Sequence, residues 1–418
     1  MNAPHPALHL SDRIADLLTD PADLPDAWTT HPSWRQSLAH GIPGIALLHV
    51  ERAASGRGRW EIAARWLSIA ATAPVTSGPD SYLYYGAPAL THALACANQA
   101  RPGTYRTALT HLDRAVEDDT LHRCAQARAR LARGDLPALT EFDTIRGLAG
   151  LGSLLLRREP GGRALPEVLA CLVNLTKDVK DDGNLLPGWW TADGPSGKPD
   201  PRFPGGHGNN GLAHGIAGPL ALLSLALLHD VEVDGQREAI RTVLDHLERL
   251  RSGHTWPYWT TRSHLADTRH RPSAQRPSWC YGTAGVARAQ QLAALALDDP
   301  LLRRAAEAAL AAALSDTAAL AATTDLSACH GFAGLAHIAH RAAADADPPG
   351  VARLRAATAL LLDTAHPPRT DPDRQARHLL DTAGPALLEG AAGTALALLA
   401  PATATTPATG WDACLLTA

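Results

Sequence analysis

Leu38-Ala-His-Gly-Ile-Pro-Gly44 returns far along the chain as Leu212-Ala-His-Gly-Ile-Ala-Gly218, and this near-verbatim recurrence decides how the rest is read. Relaxing it to a polar residue, Gly-x-x-Gly and an apolar run finds further copies beginning at Gly147, Gly282, Gly331 and Gly390. A degenerate copy begins at Gly86, with Ala89 in place of the second glycine. Each copy leads into an alanine- and leucine-rich stretch such as GPLALLSLALLHD, apolar nearly all round and therefore read as a buried helix. Between copies lie amphipathic stretches, among them Gln236–Leu250 and Leu301–Leu314, whose charged faces mark outer helices. One buried and one amphipathic helix per unit, seven times over, predicts an all-α fold: an α/α toroid with seven inner and seven outer helices, occupying 1–418 as one domain. The first glycine is expected to permit the tight turn into the helix, the second a close approach of neighbouring backbones.

Composition narrows the function classes. The formal net charge of −4 provides no basic field for nucleic acid, and no Lys/Arg cluster marks a membrane surface. No stretch approaches the roughly 18 apolar residues of a membrane span, and the N-terminus lacks the basic and apolar regions of a secretory signal. A soluble cytoplasmic protein is expected. Six cysteines in 418 residues are too sparse for a disulfide framework, which leaves thiols for metal or catalysis.

In a ring of equivalent helices the N-termini share one end, so the residue before each first glycine should face a common cavity. Those residues are His40, Tyr85, Arg146, His214, Tyr281, His330 and Glu389, all polar. Two cysteines, Cys280 and Cys329, share the offset two before the glycine, in SWCYGTAG and SACHGFAG. No CxxC spacing joins them; only the repeat does. With His330 they make a Cys, Cys, His set of the kind Zn²⁺ prefers, and catalytic zinc keeps its fourth position open. A zinc held by two thiolates suits an incoming thiol, which is deprotonated on coordination. Cys96, Cys124, Cys171 and Cys414 read as small buried hydrophobes.

GLAHGIAG, SWCYGTAG and SACHGFAG resemble the signature blocks of the lanthionine synthetase C family, in the family's order and over essentially the whole chain. The resemblance implies an α/α toroid with Zn²⁺ on Cys280, Cys329 and His330. It implies a cyclase that adds peptide cysteines to dehydroalanine or dehydrobutyrine in the same precursor. By the same resemblance His214 matches the acid/base histidine, and Asp143, Arg276 and Tyr281 match further active-site positions. The expected partners are a dehydrated precursor peptide and a separate dehydratase, since no dehydratase-like segment precedes the ring. Some family members carry a small β-rich extension between the second and third units. The stretch 101–141 occupies that place but reads as helical.

Two other functions remain open at this point. One is addition of glutathione or another free thiol to dehydroamino acids, which the bacterial-looking Arg-over-Lys bias disfavours. The other is a zinc-stabilised scaffold that only docks the precursor. Gly206–Gly211 fits GxGxxG, but no strand precedes it, so it is read as a loop and not as a dinucleotide site. Trp189 and Trp190 are candidates for a peptide groove or for packing. His40 reads as cavity lining, and His337 and His340 as ordinary helix histidines.

Overall fold

Six of the repeated glycines, Gly41, Gly86, Gly147, Gly282, Gly331 and Gly390, stand immediately before a helix. The helices are Ile42–Ala54, Ala87–Ala100, Leu148–Arg158, Thr283–Ala296, Phe332–Asp345 and Ala391–Thr403. After Gly215 the helix Ala217–Leu228 begins two residues later. The structure, a computed structural model, describes residues 4–72, 74–181, 183–266 and 275–418. The alanine-rich helices are buried on all sides, Ala217 to Ala226 and Ala391 to Ala402 without interruption. The amphipathic stretches form Gln236–Leu250 and Pro300–Ala313, the latter started by Asp299, whose carboxylate accepts from the amides of Leu301 and Leu302. Within the stretch 101–141, Arg106–Arg133 is one 28-residue helix.

The chain packs into two compact units. The first comprises Met1–Ala115 and Thr323–Asp412 with Ala418, the second Val116–Ala322 with Ala413–Thr417. In the first, Ile42–Ala54 packs on Trp60–Ala70, Phe332–Asp345 on Pro348–Ala365, and Ala391–Thr403 on Ala7–Leu17. In the second, Leu148–Arg158 packs on Ala164–Leu175, and Thr283–Ala296 packs on both Pro300–Ala313 and Ala217–Leu228. Among the described residues no helix is long and apolar enough to cross a membrane.

The second glycine serves its own turn more than its neighbour. The amides of Gly150, Gly285, Gly334 and Gly393 donate to the carbonyls of Asp143, Ser278, Ser327 and Ala386, four residues before the respective first glycines, at 3.0–3.3 Å. Helix starts leave such amides without helical partners, and the folded-back turn satisfies one of them. A methyl group at Gly285 would overlap the carbonyl oxygen of Trp279 in the same turn. At Gly44 and Gly218 a neighbouring turn crowds the site as well: an added Cβ would lie 2.7 Å from Leu387 Cβ and 2.5 Å from Thr144 Oγ1.

Adjacent turns are joined through the residues two or three before the first glycine. In the first unit Cys329 N donates to Leu388 O, Leu387 N to Ala39 O, and Leu38 N to Tyr84 O, at 2.9–3.0 Å. In the second, Thr144 N donates to Ala213 O and Ala213 N to Cys280 O, both at 3.0 Å.

The long connections of the second unit carry short strands that the sequence reading did not expect. β1 (Val179–Asp181) and β2 (Asn184–Leu186) form a hairpin. β3 (Trp190–Thr191), β4 (His207–Asn209) and β5 (Trp259–Thr260) form an antiparallel sheet in that order. The GxGxxG stretch is thus partly strand β4 and not simply a loop. Trp189 and Trp190 are almost fully buried, which assigns them to packing and removes them from any groove.

One buried ion pair stiffens the first unit. Asp412, wholly buried, accepts from His337 Nε2 at 2.9 Å with Arg341 Nε at 3.3 Å. Burial works to raise its carboxyl, but the hydrogen bond from His337 and the charge of Arg341 outweigh it and hold it at about 2. A carboxyl depressed in the folded state contributes stability above its unfolded value, about 3.9, and that contribution is lost as pH falls through the folded value. Asp412→Asn is expected to cost on the order of 3 kcal/mol at neutral pH. The difference between it and the unsubstituted protein, measured by chemical denaturation, should shrink as pH is lowered from 4 toward about 2.

Candidate active site

In four of the seven turns the side chain four residues before the first glycine caps the turn. Ser37 Oγ accepts from His40 N at 2.9 Å, Ser327 Oγ from His330 N at 3.1 Å, and Ser278 Oγ from Gly282 N at 2.9 Å. In the third turn the same position holds Asp143, whose Oδ1 accepts from Arg146 N at 2.6 Å and Gly147 N at 2.7 Å. A serine offers only one side-chain oxygen, which the cap engages. The aspartate has a second, and Asp143 Oδ2 accepts from His214 Nδ1 at 2.7 Å. Asp143 is 1% exposed, whereas the His214 side chain is 32% exposed. A carboxylate fixed by two amides thus orients an imidazole whose Nε2 is left for chemistry.

Around His214 the second unit gathers aromatic rings. Tyr281 lies 5.9 Å from His214 between ring centroids, and Tyr258 and Trp259 each lie 5.8 Å from Tyr281. Tyr258 donates its phenol proton to the main-chain oxygen of Arg276 at 2.9 Å. Burial pushes that phenol up to about 12; the charge and hydrogen bonding of the adjacent Arg276 guanidinium oppose the shift, and Cys280 adds to it. The Cys280 thiol is buried and donates to Ser278 Oγ at 3.6 Å.

In the first unit Cys329 is likewise buried. His330 Nδ1 bonds to Asp325 Oδ2 at 2.8 Å and lies 3.2 Å from Ser327 Oγ, and Nε2 faces Glu389 Oε1 at 3.5 Å. Burial works to raise the Asp325 carboxyl, but hydrogen bonds from His330 and Ser327 overcome it and hold it at about 2. Metal-ligating histidines almost always donate their other ring nitrogen to a carboxylate or carbonyl, which fixes the tautomer. By that test His330 fits a zinc ligand through Nε2, and Cys280 and Cys329 each hold the position two before a first glycine, a residue type that zinc prefers. Cys280 belongs to the second unit, Cys329 and His330 to the first. Among the described residues no three or more His, Cys, Asp or Glu side chains are grouped as a metal site.

The structure therefore brings Asp143, His214 and Tyr281 together within one unit, with Arg276 beside Tyr258. Sequence reasoning missed Asp325 and Tyr258. Asp325 had a signal, since it stands five residues before a proposed ligand and precedes a Ser cap. Tyr258 had none, because its contacts with Arg276 and Tyr281 cross sequence distances that no periodicity links.

A largely helical fold built on glycine turns presents a histidine oriented by a buried carboxylate. The chain belongs to the lanthionine synthetase C-like family, whose model matches residues 32–416. It is 25% identical over 233 residues to the nisin biosynthesis protein NisC of Lactococcus lactis subsp. lactis, a match spanning 53% of this chain and 54% of that relative. Its fold is similar to the solved structure of nisin cyclase, with a TM-score of 0.76 and 21% identity over 98% of this chain and 96% of that one. The α/α toroid expected from the glycine repeat is the fold of this family.

The two jobs of Asp143 separate by substitution. Asp143→Ala should lose the cap and about 1 kcal/mol, while Asp143→Ser, which reinstates the capping residue of the other turns, should recover most of it. Thermal denaturation of the two variants side by side measures the difference.

Proposed function

We propose that this protein is a zinc-dependent lanthipeptide cyclase. In this reading it joins peptide cysteine thiols to dehydroalanine or dehydrobutyrine in the same precursor, forming thioether rings. The Asp143–His214 dyad carries the reading, because family membership alone does not require an oriented, partly exposed imidazole with a buried carboxylate behind it. Cys280, Cys329 and His330 are the proposed zinc ligands, and Asp325 holds His330 for that role. When bound, zinc supplies the charge that lets a peptide thiol ionise near neutral pH, where an unassisted thiol of pKa about 8.5 is mostly protonated.

The chain's own residues account for the remaining steps. The thiolate sulfur forms a bond to the β-carbon, the alkene π pair moves to the carbonyl as an enolate, and a proton must reach the α-carbon. His214, in protonated form, delivers it from Nε2 while Asp143 on Nδ1 stabilises the charged ring. The neutral ring then regains a proton equivalent to the one the substrate thiol gave up, so the addition balances. In this reading Arg276 stabilises the enolate oxygen, and Tyr281, whose ring lies against His214, supports the same site. The dehydrated peptide would come from a separate dehydratase.

Purified protein loaded with zinc and given a dehydrated precursor peptide should consume free thiols at constant peptide mass. Unchanged thiols would sink the proposal, and a mass gain equal to one added small thiol would favour the glutathione-adding alternative. His214→Ala should retain zinc and lose about 10²-fold or more in rate; loss of metal would make His214 structural. Asp325→Asn should weaken zinc about 10- to 100-fold, read by chelator competition.

A further inference from the structure

Tyr258 is held from one side and holds on the other. On its supporting side, Asn210 N donates to Tyr258 O at 3.0 Å, and Asn210 Nδ2 donates to Pro257 O at 3.0 Å and Thr260 Oγ1 at 3.1 Å. The buried Asn210 thereby pins residues 257–260 to the start of the turn that carries His214. On the other side, the phenol donates to Arg276 O at 2.9 Å, and its ring sits 5.8 Å from that of Tyr281. Trp259 meets Tyr281 edge-on, also at 5.8 Å, and is itself backed edge-on by Phe203 at 5.4 Å.

Arg276 lies in a non-helical stretch, 275–278, outside any helical ladder of hydrogen bonds, and the Tyr258 phenol is one of the contacts on its backbone. Stabilising a developing oxyanion depends on where the donor stands, and a misplacement of about 1 Å can cost about 10²-fold in rate.

We propose that Tyr258 is a positioning residue: its phenol fixes the backbone of Arg276, and its ring fixes Tyr281, in the pose from which Arg276 serves the enolate. The proposal rests on the cyclase reading for its kinetic consequence but not for the clamp itself. Tyr258→Phe removes the donated hydrogen bond and keeps the ring. With dehydrated precursor peptide it should lower kcat about 10-fold at nearly unchanged KM, since the interaction acts on the transition state and not on binding. In an Arg276→Ala background, where the guanidinium that the phenol positions is gone and the ring still holds Tyr281, the same substitution should lower kcat less than about twofold. An equal loss in both backgrounds, or no loss in the first, overturns the proposal. Hydrogen–deuterium exchange reads the clamp without activity. Amides of 275–282 should exchange faster in Tyr258→Phe while those of the helix Gln236–Leu250 do not change. If the unsubstituted protein fails to cyclise, the cyclase reading falls and exchange alone judges the clamp. Unchanged exchange at 275–282 then overturns it.

Discussion

Everything at the candidate site depends on the way a buried helix begins. The first amides of a helix have no partners within it, and a helix buried on all sides has no water to supply them. In four of the turns the chain folds back immediately before the helix, so that the amides of Gly150, Gly285, Gly334 and Gly393 reach the carbonyl four residues before the first glycine. Ser37, Asp143, Ser278 and Ser327, at that position in their own turns, also accept from turn amides through their side chains. That fold-back leaves no room for a Cβ, which is why the glycines recur where the rest of the sequence drifts. Satisfying the helix starts and crowding the turn are one constraint.

The same turn sets the site's geometry. Because adjacent turns exchange backbone hydrogen bonds near the residue two before the glycine, side chains at the preceding and following offsets have neighbours of fixed identity. His214 meets the carboxylate of the turn before it and the ring of the turn after it. His330 meets Glu389 in the same manner. Chemistry then requires only small changes to a repeated plan. Replacing a serine cap by aspartate keeps the cap and adds an oxygen that orients an imidazole. Cysteine at a position held in the other turns by Ala39, Tyr84, Ile145, Ala213 and Leu388 puts a thiol at the tip of a helix.

Two carboxylates, Asp143 and Asp325, stand behind two imidazoles with different work in the proposed mechanism. Asp143 is nearly inaccessible and is spent on two amides and one ring nitrogen. Asp325 is one-third exposed and is drawn well below the ordinary carboxylate range by the hydrogen bonds of His330 and Ser327. In each case the carboxylate fixes one ring nitrogen. The surroundings differ: the His214 side chain is about one-third exposed, whereas the other ring nitrogen of His330 faces the Glu389 carboxylate.

The sequence by itself determined the glycine turns, the buried and amphipathic helices that follow them, and the residues at shared offsets. These are written in local steric and hydrophobic rules that a repeat makes visible. It also placed Cys280, Cys329, His330 and His214 at helix starts, because offset from a glycine is a local quantity. Tertiary structure alone decided that Asp143 serves as cap and histidine partner at once, since the second contact joins two turns. It decided that Trp189 and Trp190 are packing, that the long connections form small sheets, and that Tyr258 reaches Arg276. Those contacts join segments far apart in the chain, and no local pattern records which of them will meet.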